Sequence, residues 1–311
     1  MTMQAVVYKS TGSWYTVKDD DGNHWNARIK GVFKIDEEIN STNPIAVGDK
    51  VEMELENEGE KSVIITKIHD RRNYINRQSP RSKYQHHIIA ANLDQSLLIA
   101  TLKDPKTSQG FIDRFLIACE MYHVPAILVF NKFDLYRKKE QEQFKSLTEM
   151  YGSIGYKVMS MSMKEHQGVE PIRELLQNKI TLVSGHSGVG KSSFVNSLLP
   201  GADIRVKDVS GWSGKGMHTT TFAEMYDLPS GGAIIDTPGM REFGLVGLSR
   251  QELSGYFPEM RARLNDCQYN NCLHINEPDC AIKEAVVNGE IDEARFVSYY
   301  NILESIDAQR W

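Results

Sequence analysis

Gly185-His186-Ser187-Gly188-Val189-Gly190-Lys191-Ser192-Ser193 carries the Gly-x4-Gly-Lys-Ser spacing of a phosphate-binding loop, well past the middle of a 311-residue chain. Its glycines let the backbone approach closely, turning successive N–H groups toward a β-phosphate at a helix N-terminus whose dipole favours anions. Lys191 is expected to reach the β- and γ-phosphates, and Ser192 to ligate Mg2+. The competing reading is a chance glycine-rich turn. The flanks argue against it: Ile180-Thr181-Leu182-Val183 reads as a buried strand, and Lys191 to Leu199 as a helix that Pro200 stops.

Phosphate binding does not choose a base. Asn131-Lys132-Phe133-Asp134 follows the apolar run Ala126-Ile127-Leu128-Val129-Phe130, which reads as a buried parallel strand. An aspartate carboxylate accepts two hydrogen bonds from the N1–H and exocyclic amine of guanine, a pattern adenine lacks. A site built on such groups rejects the wrong partner by roughly 10⁴-fold, because its acceptors would be left unpaired. Alone, the tetrad is a polar turn; at a strand end in a chain with a phosphate loop, it points to GTP. Ser162 and Met163, ending the Val158-Met159 run, are expected to place backbone N–H groups on the guanine oxygen.

Asp236-Thr237-Pro238-Gly239 follows the strand-like Gly232-Ala233-Ile234-Ile235. Asp236 is expected to hold Mg2+ and the Gly239 N–H to sense the γ-phosphate. The next residue is Met240, whose thioether cannot orient an attacking water. That task falls to the segment Gly214 to Thr221. There Thr219 or Thr220 completes the Mg2+ shell and His218 orients water, the alternative for His218 being a solvated loop histidine. Unassisted hydrolysis is then expected to be slow, on the order of 10⁻³ s⁻¹ or below. The order of the parts is also unusual. In an ordinary small GTPase the guanine tetrad follows the phosphate loop, whereas here it precedes it.

A second dense signal is Cys267-x4-Cys272-x-His274-x5-Cys280, which gathers three of the four cysteines with a histidine. Three thiolates and an imidazole make a closed tetrahedral donor set for a structural Zn2+. Disulfides compete with this reading, but three cysteines leave one unpaired, and no signal segment points to an oxidising compartment. Cys119 lies in the helical pattern around Phe111, Ile112, Phe115 and Leu116 and reads as core packing.

These groups need elements to hold them. Residues 1–75 alternate strand-like segments with turns such as Asp21-Gly22 and Val47-Gly48-Asp49, as in a small antiparallel barrel; an OB-fold is expected, with an SH3-like barrel left open by periodicity. Residues 78–245 alternate apolar strands with helices, as in a doubly wound α/β domain with its ligand at the strand C-termini. Residues 248–311 read as mostly helical around the zinc loop. The apolar runs are too short to span a bilayer, so a cytoplasmic protein is expected, with a monomer as the default. A net charge of −5 argues against a protein that coats nucleic acid generally. Locally, His69 to His87 carries Arg71, Arg72, Arg77, Arg81 and Lys83 interleaved with Tyr74 and Tyr84, against the single acid Asp70. It reads either as an RNA contact or as a solvated interdomain linker, and a neighbouring OB barrel favours RNA.

The rotated set of motifs, the zinc spacing, Val47-Gly48-Asp49 and Arg71-Arg72-Asn73 together resemble the RsgA (YjeQ) family of bacterial circularly permuted GTPases. The resemblance implies an N-terminal OB-fold, a central GTPase and a C-terminal zinc domain. It implies a late role in assembling the small (30S) ribosomal subunit, with contact to rRNA and GTP hydrolysis stimulated by the subunit. It also matches Met240 to a hydrophobic position and His218 to the family's proposed catalytic histidine. A nucleotide-gated RNA-binding checkpoint with incidental hydrolysis, and a GTPase with a non-ribosomal partner, stay open as other classes. Because the Asp236-Gly239 turn runs almost directly into the C-terminal segment, nucleotide state is expected to be read as the orientation of the zinc domain.

Overall fold

The computed structural model describes residues 2–29, 44–57, 59–79, 82–200, 223–237 and 245–308. Five strands open the chain: β1 (Thr2–Ser10), β2 (Tyr15–Asp19), β3 (His24–Ile29), β4 (Lys50–Asn57) and β5 (Ser62–Ile68). Alternate residues point inward, so Val7, Val17, Ala27, Val51, Met53, Val63 and Ile65 form one core. Strand β1 pairs antiparallel with both β2 and β4, and β3 pairs parallel with β5, which closes the sheet. The resulting order β1-β2-β3-β5-β4 returning to β1 is that of an OB-fold.

The basic segment beyond the barrel is not a linker. Strands β6 (Tyr74–Ser79) and β7 (Ser82–Ala91) pair as an antiparallel hairpin, from Tyr74 opposite Ala91 to Ser79 opposite Ser82. Val47-Gly48-Asp49 fastens the barrel to it. The Ala91 N–H donates to the Val47 carbonyl at 2.9 Å. A Cβ on Gly48, which sits at φ +92°, would lie 2.2 Å from the Ala91 carbonyl oxygen, so only glycine fits. Buried Asp49 accepts two hydrogen bonds from Arg71, from Nε and Nη2, each at 2.7 Å.

The central sheet follows from β8 (Gln95–Ala100), β9 (Ala126–Phe130), β10 (Lys157–Ser160), β11 (Ile180–Gly185), β12 (Glu224–Asp227) and β13 (Ala233–Asp236). The order β10-β9-β8-β11-β13 is parallel throughout, and β12 adds antiparallel beside β13. Helices α1 (Gln109–Met121), α2 (Lys138–Ser153), α3 (Val169–Leu176) and α4 (Lys191–Leu198) make the connections. All six residues of β8 are buried, as a strand covered on both faces requires. The barrel continues this sheet through a bridge between Lys9 of β1 and Glu224 of β12. Tyr8 and Lys18 of the barrel both reach the Asp227 carboxylate, at 2.5 and 2.6 Å.

Helices α5 (Arg250–Leu253), α6 (Pro258–Arg261), α7 (Ala281–Val287) and α8 (Glu293–Ala308) form the C-terminal region. The chain after Gly239 is not its only link to the central sheet. Leu253, Phe257, Tyr299 and Ile302 share one core with Phe111, Phe115 and Leu116 of α1. Among the described residues, no helix is long and apolar enough to cross a membrane.

Candidate nucleotide site and metal centre

Four of the expected nucleotide elements meet at the C-terminal ends of β9, β10, β11 and β13. Asn131, at the end of β9, is buried and ties two of them together. Its side-chain amide donates to the Val189 carbonyl in the phosphate loop at 2.8 Å, and its Oδ1 accepts the Met163 N–H at 3.2 Å. The approach is so close that a Cβ on Gly190, at φ +93°, would lie 2.2 Å from the Asn131 amide nitrogen. Asn131 therefore braces the loop that cradles phosphate. Lys132 adopts a left-handed φ of 62° and its ammonium reaches the Asp104 carbonyl. Phe133 packs against Tyr136 and Phe144.

Asp134 accepts a hydrogen bond from the Ser162 hydroxyl at 2.7 Å. The backbone N–H groups of Ser162 and Met163, expected at the guanine oxygen, have partners within the protein. The Ser162 N–H donates to the Gln167 carbonyl at 2.9 Å, and the Met163 N–H goes to Asn131, so both are used within the protein. Through its side chain Ser162 also orients the Asp134 carboxylate, the group expected to match guanine.

The phosphate loop lies between β11 and α4 as its spacing requires. Val189 packs into the core beneath it, while Ser187 and Ser193 are exposed. His186 stacks on Phe111 of α1 with ring centroids 3.7 Å apart, and burial holds its imidazole below the ordinary pKa. Nearly buried Lys191 forms an ion pair with Asp236. A buried ammonium is costly without a counter-charge, so these two residues partner one another where phosphate and Mg2+ would take their place. Ser192 and Asp236 fit an Mg2+ in the chemistry of their oxygens. His218, Thr219, Thr220 and Gly239 lie outside the described residues.

Among the residues expected to contact RNA, Arg71 and Arg72 form bonds within the protein. Arg71 is nearly buried in its pairing with Asp49. Arg72 places Nη2 2.7 Å from both the Asp94 carboxylate and the Leu93 carbonyl. Arg71 thus ties the entry of the hairpin to the barrel, and Arg72 ties it to residues 92–94, just before β8. Arg77 and Lys83 lie on β6 and β7, and Arg81 falls outside the described residues.

At the C-terminal end, one ligand atom from each of Cys267, Cys272, His274 and Cys280 lies within 4.8 Å of the others. The His274 Nδ1 faces the sulfurs of Cys280 and Cys267 at 3.3 and 3.7 Å. Burial lowers the pKa of His274, leaving a neutral imidazole ready to ligate, and pushes the Cys272 thiol up to about 12. A divalent cation supplies the charge that buried thiolates need, and three sulfurs with one nitrogen suit Zn2+. Glu277, passed over in the sequence, organises this loop by accepting N–H groups from Leu273, Ile275 and Asn276 at 2.8, 2.9 and 3.1 Å. Its position beside Pro278, between His274 and Cys280, was the available signal.

Comparison with known proteins gives the same arrangement. A model of the RsgA GTPase family matches residues 68–246, and one of the RsgA N-terminal domain matches residues 4–64. A protein named small ribosomal subunit biogenesis GTPase RsgA from Flavobacterium psychrophilum is 48% identical over 306 residues, covering 98% of this chain and 94% of that one. Its namesake from Cytophaga hutchinsonii is 47% identical over 308 residues, covering 99% and 100%. Among solved structures, YjeQ from Thermotoga maritima superposes with a TM-score of 0.76 at 31% identity, covering 98% of each chain. YloQ, described as a circularly permuted GTPase, gives 0.75 at 27%, covering 99% of this chain and 96% of that one. Likeness of this extent covers the barrel, the rotated nucleotide motifs and the cysteine cluster alike, so the chain belongs to the RsgA GTPase family and hydrolyses GTP.

Proposed function

We propose that this chain acts late in maturation of the small ribosomal subunit, gripping its rRNA in the GTP state and leaving after hydrolysis. The observation that carries this reading is the full-length likeness to relatives named for small-subunit biogenesis, with each nucleotide motif present in this sequence. In it, Asp134 reads guanine, Lys191 and the loop N–H groups of Gly185 to Ser193 hold phosphates, and Gly239 senses the γ-phosphate. Ser192, Asp236 and Thr219 or Thr220 hold Mg2+, which supplies positive charge to the β- and γ-oxygens. His218 orients water. Arg77 and Lys83 on the hairpin, with Arg81 between them in sequence, meet RNA phosphates beside the barrel of residues 1–75. Residues 78–245 form the GTPase, and 248–311 the zinc-bearing region. The chain works as a cytoplasmic monomer, where ribosomal subunits are assembled.

Sedimentation with purified subunits tests this. In the presence of a non-hydrolysable GTP analogue the protein is expected to pellet with small subunits and not with large ones, and GDP should release it. Equal pelleting with both subunits, or indifference to the nucleotide, would contradict the proposal.

A further inference from the structure

Phe111 lies in the first turn of α1, where the Ser108 hydroxyl caps its N–H at 3.3 Å. Its ring stacks on His186, the second residue of the phosphate loop, with the planes 29° apart. Two residues along the same helix, Asp113 is wholly buried. Asp113 accepts hydrogen bonds from the Arg295 guanidinium of α8 at 2.5 Å and the Tyr151 hydroxyl of α2 at 2.7 Å. Arg295 also donates to Glu259 of α6 at 2.7 Å and lies 4.5 Å above the Phe257 ring. One rigid turn of helix therefore touches the phosphate loop on one side and the anchor of the zinc-bearing region on the other.

We infer that Phe111 is a positioning residue for the phosphate loop, and that α1 couples nucleotide occupancy to α8. A shift of His186 as phosphates fill the loop is passed to α1 as a body, because packed interiors move as units rather than deforming continuously. In the other direction, Arg295 restrains the first turn of α1 and so the posture of His186. The inference rests on the phosphate-loop reading above and adds to it a route that does not use the chain after Gly239.

The test uses the full-length, zinc-loaded protein and its Phe111→Leu, Phe111→Tyr, His186→Ala and Phe111→Leu/His186→Ala variants. An aromatic pair of this kind is expected to affect GDP and GTP affinity about fivefold. Phe111→Leu should weaken both by that factor with zinc content and a cooperative thermal transition retained, and Phe111→Tyr should restore them. The double variant should be no weaker than the weaker single. Hydrogen exchange gives the second readout: GDP is expected to slow exchange across residues 293–308 in the wild type and not in Phe111→Leu. Wild-type affinity in Phe111→Leu, additive losses in the double variant, or exchange in α8 that ignores nucleotide in the wild type would overturn the inference. Failure of the wild-type protein to bind either nucleotide would instead strike the phosphate-loop reading itself.

Discussion

In the proposed nucleotide site Asp134 carries the choice of base, and its neighbours determine how well it can do so. The Ser162 hydroxyl holds one carboxylate oxygen in place, so the group need not be ordered when guanine arrives. Changing Asp134 to Asn replaces an acceptor with a donor, which opposes the guanine amine and suits the carbonyl of xanthine. Asp134→Asn is therefore expected to lose GTP affinity by roughly 10³-fold or more and to gain xanthosine triphosphate, as measured by competition binding. Retained GTP preference in that variant would remove Asp134 from base recognition. Residue type and spacing were enough to name the GTPase family and the cysteine cluster, because each motif is a local pattern. The partners of the Ser162 and Met163 N–H groups were not legible. Each bond depends on how separate loops close on one another.

At the scale of elements, every strand predicted around the nucleotide site appears close to its expected bounds. Buried apolar runs bounded by polar loops leave little choice of structure. The segment from residue 69 to 87 was harder to read, because its charges resemble solvated surface until their partners are known. Asp49 lies 22 residues from Arg71, and Asp94 the same distance from Arg72. Removing one member of a buried pair leaves the other charge uncompensated. Arg71→Met is accordingly expected to destabilise the protein by about 3 to 5 kcal/mol in denaturant unfolding. Arg77→Ala and Lys83→Ala should leave stability nearly unchanged and weaken subunit binding. The opposite pattern, with a silent Arg71→Met, would show that the barrel and hairpin are not fastened there.

The whole molecule is a chain of attachments. The barrel continues the central sheet through β12, the hairpin bolts the barrel to β8, and α8 docks the metal-bearing region on α1. The rotated order of motifs was visible in the sequence, and it led to the expectation that the C-terminal region is steered by the chain after Gly239. The docking on α1 was not visible, since Asp113 and Arg295 are 182 residues apart and neither stands out by type. With the inferred coupling through α1, two routes are proposed from the nucleotide site to the region that holds the cysteine cluster. Both serve the same end if hydrolysis is tuned to a partner that touches barrel and metal region together. The measurement that bears most directly on this is GTP turnover by the purified protein, alone and with purified small or large subunits, with ATP as the control. Turnover alone is expected on the order of 10⁻³ s⁻¹ or below, with strong stimulation by small subunits only and no comparable turnover of ATP. Rates unmoved by the small subunit, or raised equally by the large one, would contradict the account.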